Sequence, residues 1–291
     1  MRGRSWLFVP GDSERKLAKA DGCGADALIL DLEDSVAAEK KDAARELVAD
    51  YLAMHPESGR ECRLCVRVNP LDSGRMLADL VAIVASNPDL IMIPKVDGPA
   101  DVIRVCHYID ALAVQAGLLN ETIGVVPVAT ETANAPFRLG DYATASVERL
   151  AAICWGAEDL SAALGAATNL GEDGRWAPTF RTVRSLALLA ARAAGVAAIE
   201  TLYADFRDEA GLRATSAEAF AEGFDGRIAI HPAQVGPINE SFTPSPEQIE
   251  QAVLVKAAFA TAGTGVAALD GKMLDLPHLR QAERILALAG E

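Results

Sequence analysis

The sequence predicts an α/β protein, a (β/α)8 TIM barrel with a C-terminal lid and helix extension. Three observations carry that expectation. Eight short apolar runs recur along the chain, a segment of helical period follows each, and the runs start at positions 5, 27, 62, 90, 122, 150, 197 and 226. That spacing is close to the roughly 30 residues of one βα unit. Strict alternation with eight strands favours closure into a barrel over an open doubly wound sheet.

In order, the runs are SWLFVPG, ALILDLE, CRLCVRVN, LIMIPKV, TIGVVPVATE, LAAICWGAED, AAIETLY and GRIAIHP. Their near-continuous hydrophobicity fits strands buried on both faces, as in a parallel sheet. After the third run, SGRMLADLVAIVAS places Leu77, Leu80, Val81 and Val84 at helical spacing, which predicts an inward stripe with Arg75 and Asp79 facing elsewhere. The longest interval follows the sixth run and holds the glycine-rich SAALGAATNLGEDGRWAPTF, expected over the face where strands end. A last barrel helix is expected at about 247–261. Beyond it, GTGVAALDGKMLDLPHLRQAERILALAG exceeds what closure requires, and its glycines and Pro277 predict a loop entering a final helix. The expected division is a catalytic barrel over 1–263 and a lid with its helix over 264–291.

Composition narrows the function classes. With 291 residues, 51% of them apolar, the chain can bury a large core. A net charge of −14 with no basic patch argues against nucleic acid and anionic membrane as partners. No window approaches the ~18 apolar residues of a membrane span. Pro10 and Gly11 cut the first apolar run too short for a signal-peptide core, so a cytoplasmic protein is expected. The odd set Cys23, Cys62, Cys65, Cys106 and Cys154 suits reduced thiols. Cys62 and Cys65 form a CxxC, but no second pair or spaced histidine completes a zinc set, and ECRLCVRVN alternates like a strand.

Reactive groups of such a barrel sit where its strands end. Strand two ends in Asp31, Glu33 and Asp34, strand three in Arg67 and Asn69, strand four in Lys95, strand five in Glu131, strand six in Glu158 and Asp159, and strand eight in His231. Acids converging from several strands repel one another, and a hard divalent cation relieves that repulsion through oxygen ligands. Mg²⁺ is the natural choice, because it accepts one or two carboxylates and keeps positions for water and substrate. Taken singly, any of these carboxylates reads first as a solvated loop residue or a helix cap, and Asp159 suits a cap of the helix at DLSAALG. The case rests on coincidence across strands.

Arg67, in the alternating CVRVNP, suits bidentate capture of a carboxylate, against the alternative of an ion pair with a nearby acid. Lys95 invites a Schiff-base reading, but a lysine among acids stays protonated and weakly nucleophilic, so charge balance on the cofactor side is expected. Of the four histidines only His231 stands at a strand end, and His107 reads as surface. No GxSxG, Walker-A loop or GxGxxG after a strand occurs, which argues against a serine hydrolase, a P-loop enzyme and a dinucleotide dehydrogenase.

Taken as an ordered set, RSWLFVPGDSERKLAKA, LDLEDSVAAEKKDAAR, RVNP, MIPKV, ETANA, GAEDL, IHPAQV and GKMLDLPHLRQA resemble the citrate lyase beta-subunit-like branch of the HpcH/HpaI aldolase superfamily. The resemblance spans nearly the whole chain. It implies a barrel with a C-terminal lid, commonly trimeric, acting on acyl-coenzyme A thioesters. By motif match it makes Glu131 and Asp159 direct metal ligands and Arg67 the carboxylate-binding arginine. Glu33 and Asp34 match acids near the metal, reached through water, and Asp275 matches a lid aspartate offered to a neighbouring subunit's site. Arg15 and His231 at the IHPAQV strand end become candidates for coenzyme A contacts. Malyl-CoA lyase relatives carry an arginine nearer to PGS, where Ser13 stands here.

The implied activity is a Mg²⁺-dependent carbon–carbon lyase that cleaves a 3-hydroxy-3-carboxyacyl-CoA, such as citramalyl-CoA or malyl-CoA, to acetyl-CoA and a 2-keto acid. A malyl-CoA thioesterase or malate-synthase-like activity uses the same residues and stays open, as does the beta subunit of a carrier-protein-dependent citrate lyase.

Overall fold

The computed structural model describes residues 3–118, 123–262 and 265–290. Thr122, where the fifth apolar run was expected to begin, and the expected boundary at 263/264 lie outside these residues. Two compact units are present, Met1–Asn239 and Glu240–Glu291.

In the first unit every apolar run contains a strand: β1 Ser5–Pro10, β2 Ala27–Asp31, β3 Arg63–Arg67, β4 Leu90–Ile93, β5 Gly124–Pro127, β6 Ala152–Cys154, β7 Ala197–Glu200 and β8 Gly226–Ala229. Between them run α1 Glu14–Ala20, α2 Lys41–Met54, α3 Met76–Ile83, α4 Pro99–Gln115, α5 Ala157–Leu164, α6 Pro178–Ala193 and α7 Glu209–Glu222, with α8 Val235–Ser241 after β8. The strands are parallel in the order β5-β4-β3-β2-β1-β8-β7-β6. Single bridges Val125↔Leu150 and Val128↔Cys154, with Ala129 N donating to Cys154 O at 2.8 Å, join β5 to β6 and close the ring.

Alternate strand residues fill the barrel axis: Trp6, Ile29, Cys65, Met92, Val126, Cys154, Ile199 and Ile228 are buried together. The same parity carries Asp31 and Arg67 to the upper end of the axis, where they are register partners. Residues of opposite parity, such as Trp155, Glu200 and Arg227, are equally buried but on the helix side of the sheet.

Helix α3 corrects one expectation. Its buried residues are Met76, Asp79, Leu80 and Ile83, while Leu77 and Val81 are exposed. The stripe is rotated because Asp79 is drawn inward: Arg45 Nε at 2.9 Å and Asn69, through its backbone N at 2.8 Å and Nδ2 at 2.7 Å, all donate to it. A carboxylate with three donors can be buried, and a hydrophobicity pattern alone assigns it to solvent.

The second unit contains α9 Pro246–Ala262, β9 Val266–Leu269, β10 Lys272–Asp275 and α10 Leu276–Ala289. The expected loop is in fact an antiparallel hairpin, with Leu269 opposite Lys272. Asp270 and Gly271 form its two-residue turn, both at positive φ (50° and 74°). Asp-Gly is the sequence such a turn favours. Val255, Phe259, Leu274, Ala282 and Leu286 form a small separate core.

Candidate active site

The upper end of the barrel assembles its charged groups in pairs. Arg67 Nε and Nη2 donate to Asp31 Oδ1 and Oδ2 at 2.7 and 2.8 Å, a bidentate pair between adjacent strands. The guanidinium lies over Phe8, 4.4 Å from the ring centroid. Asp31 also accepts from the backbone N–H of Glu33 at 2.9 Å and of Ser35 at 3.1 Å, which fixes the turn after β2. Burial alone raises a carboxyl pKa, but here the hydrogen bonds and charge of Arg67 outweigh it and hold Asp31 below its usual value. Arg67 is raised in turn: burial opposes its charge, and Asp31 more than offsets that.

Glu33 is buried, and its Oε2 is 2.9 Å from Arg67 Nη1 without hydrogen-bond alignment. Lys95 Nζ contacts Glu33 Oε1 and reaches Asp34 Oδ2 at 3.0 Å and Asp159 Oδ1 at 3.3 Å. Burial lowers the Lys95 ammonium less than Glu33 and Asp34 raise it, so it stays charged. Lys41, reaching over from α2, donates to the carbonyls of Leu32 and Glu33, both at 2.9 Å.

Glu131 stands past the end of β5, buried, with Oε2 accepting from the backbone N–H of Lys95 at 2.7 Å. Lys95 takes a positive φ of 53° there. A Cβ on Gly156 would stand 3.0 Å from Glu131 Cγ and 3.1 Å from Oε1, so glycine at that position leaves room for the carboxylate. Burial pushes the Glu131 carboxyl up to about 8, and the nearby Asp159 and Glu33 add to the rise. Asp159 lies in the first turn of α5 and is partly exposed; the residue before the helix is Gly156, so Asp159 is not its cap.

These groups fit a hard cation. All the donors are oxygens, Glu131 is held ionisable but unfavourably buried, and Glu33 Oε2 lacks a hydrogen bond. Among the described residues no three His, Cys, Asp or Glu side chains converge as a ready-made cage. A cation here would take Glu131 and Asp159 and fill its remaining positions with water or ligand oxygens.

The structure thus brings together Glu33, Asp34, Arg67, Lys95, Glu131 and Asp159. Arg15 is exposed on α1 and His231 is exposed after β8, and neither makes a polar contact with that group among the described residues. His231 Nδ1 accepts from Ala233 N at 3.2 Å, and its ring stacks on Phe206 at 4.8 Å. Asp275 belongs to the second unit, immediately before α10, with Oδ1 2.6 Å from His278 Nδ1. Lys41, Phe8 and Gly156 are site residues that the sequence left without a role, and Asp31, expected among the converging acids, proves to be the partner of Arg67. The signal for Asp31 was its position: it stands as far into β2 as Arg67 does into β3.

Comparison with known proteins agrees with this architecture. The profile of the HpcH/HpaI aldolase/citrate lyase family matches residues 4–232. The chain belongs to that family. Among family relatives, a (3S)-malyl-CoA thioesterase of Cereibacter sphaeroides is 39% identical over 289 residues, covering 98% of this chain and 94% of the relative. A mitochondrial citramalyl-CoA lyase of Mus musculus is 35% identical, covering 98% of this chain and 86% of the relative. The crystal structure of protein CitE from Mycobacterium tuberculosis, in complex with magnesium, acetoacetate and coenzyme A, superposes with a TM-score of 0.81. It is 35% identical and covers 100% of this chain and 99% of its own. As an HpcH/HpaI family member, the chain carries its ionic cluster where barrel enzymes place reactive groups. Among the described residues no helix is long and apolar enough to cross a membrane.

Proposed function

We propose that this protein is a Mg²⁺-dependent carbon–carbon lyase that cleaves a 3-hydroxy-3-carboxyacyl-CoA of the citramalyl-CoA or malyl-CoA type to acetyl-CoA and a 2-keto acid. The observation that carries this reading is a buried Glu131 beside Asp159, facing an arginine already locked in place by Asp31. The citramalyl-CoA lyase relative and the CitE complex with magnesium, acetoacetate and coenzyme A support it.

Mg²⁺ bound through Glu131 and Asp159 would supply a Lewis acid for the oxygens of the departing keto acid. Arg67 keeps N–H groups that Asp31 does not use, and with them it holds the substrate carboxylate and neutralises its charge. Lys95 keeps Glu33, Asp34 and Asp159 in register and balances their charge. As the substrate hydroxyl gives up its proton to solvent and becomes the keto group, the carbon–carbon bond breaks with its electron pair going to the acetyl-CoA enolate, and Asp275 delivers the proton that quenches that carbon. We assign Asp275 to a neighbouring subunit's site in a cytoplasmic homotrimer; a trimer mass in solution is the expected result. Arg15 and His231 are assigned to coenzyme A.

A thioesterase reading has its own support, because the malyl-CoA thioesterase relative shares 39% identity against 35% for the lyase. Products separate the two. Intact acetyl-CoA with a keto acid marks the lyase, and free coenzyme A with the hydroxy diacid marks the thioesterase. Asp275→Asn is expected to stop turnover and leave Mg²⁺ affinity in place; loss of metal binding would remove Asp275 from its assigned role.

A further inference from the structure

Outside the barrel axis, a cavity of about 510 Å³ lies on the helix side of the sheet, bordered by β7, α6, α7 and the segment from Asn169 to Trp176. Its size falls in the range of small-ligand sites. Its floor includes Arg227, only 2% exposed. Arg227 Nε donates to Thr201 O at 3.1 Å, and Nη1 donates to Thr215 Oγ1 at 2.8 Å and Ser216 Oγ at 3.0 Å. All three acceptors are neutral. Among the described residues Nη2 has no hydrogen-bond partner and no carboxylate reaches ion-pair distance of this side chain.

The nearest candidate partner is already engaged. Glu200 accepts from Arg184 Nε at 2.6 Å, Trp155 Nε1 at 2.5 Å and Thr201 N at 2.9 Å. Burial consequently pulls the Arg227 guanidinium below its ordinary value, with Glu200 opposing only through space. A buried cation with an open donor calls for a planar anionic acceptor. Within a largely polar lining, Leu170, Leu202 and Trp176 supply an apolar patch, and Trp176 meets buried Trp155 edge-on at 5.1 Å. Five carboxylates, Glu158, Glu200, Asp205, Glu218 and Glu222, line the cavity against four guanidiniums, Arg175, Arg181, Arg184 and Arg227, a balance that disfavours a multiply charged phosphate.

We propose that this cavity binds a small monocarboxylate with an apolar or aromatic body, its carboxylate on Nη2 of Arg227 and its body against Trp176 and Leu202, at a place separate from the Glu131 and Asp159 site. Phenylacetate is a suitable probe, with phenylacetamide as its neutral counterpart and inorganic phosphate as an anion of another shape. Calorimetric titration of the full-length protein should show saturable phenylacetate binding and none for the amide or phosphate. Arg227→Gln should weaken it about tenfold, the effect of losing one charge-assisted hydrogen bond. Leu170 is 41% exposed at the cavity edge, so Leu170→Glu should repel the carboxylate while leaving the fold intact, and it decides the question if Arg227→Gln does not fold. Asp159→Asn should leave phenylacetate binding unchanged. Absence of saturable binding, equal binding of the amide or phosphate, undiminished binding by Leu170→Glu, or loss of binding in Asp159→Asn would each overturn the proposal.

Discussion

Asp31 and Arg67 face each other across β2 and β3, and removing Asp31 leaves a largely buried guanidinium with only the unaligned Glu33 beside it. Asp31→Asn should therefore cost roughly 3–5 kcal/mol of stability, the usual range for breaking a buried pair from one side. Because the folded pKa of Asp31 lies below the unfolded one, its contribution is complete above about pH 4 and is lost as pH falls through the lower folded value. Glu33 and Glu131, both raised, act in the opposite sense. The comparison to make is thus wild type against Asp31→Asn in denaturant unfolding, at pH 6 and near pH 3; the stability gap between them should shrink at the lower pH. A gap that does not change would mean the pair carries no net charge coupling. Gly156 makes a second prediction. Its φ of −120° suits any residue, so Gly156→Ala acts through its Cβ alone, against Glu131 first and Val128 next. Mg²⁺ affinity should fall about tenfold with the fold retained, as measured by calorimetry. The sequence named Arg67 correctly as a charged strand-end group but left open whether it meets an internal acid; register, which sequence patterns do not display, supplies Asp31.

At the scale of elements, the eight strands were legible because each is apolar on both faces and bounded by polar strand ends, a pattern little else produces. Helix α3 was legible as a helix but not in its facing, since Asp79 is buried by three donors that come from Arg45 and Asn69, distant from one another in sequence. The β9–β10 hairpin was missed although Asp270-Gly271 spells its turn: four-residue strands with an exposed face alternate too briefly to stand out. Gly271 at φ 74° tests the turn, and Gly271→Ala should cost about 1 kcal/mol. Faster amide exchange across Val266–Asp275, with the strands of the barrel unchanged, is the expected readout.

For the whole molecule, the barrel places seven charged side chains at one end, and the relatives of its family are named for action on coenzyme A thioesters. A ligand that binds only the folded state stabilises it by about 2.7 kcal/mol at a hundredfold excess over its dissociation constant. Mg²⁺ at that excess should therefore raise the melting temperature of wild type by about 5–10 °C, at roughly 2–4 °C for each kcal/mol in a large domain. Glu131→Gln should show no such rise. The convergence of acids from separate strands was readable in the sequence as a cluster, but the packing around it was not, because it comes from the space at Gly156, the positive φ of Lys95 and the Phe8 ring beside Arg67. The most direct test of the central claim is product identification from citramalyl-CoA and malyl-CoA with and without Mg²⁺. The account predicts intact acetyl-CoA and the matching 2-keto acid, formed only with Mg²⁺ and lost in Glu131→Gln and Asp159→Asn; turnover that is unchanged in those variants, or that yields free coenzyme A and the hydroxy diacid alone, would contradict it.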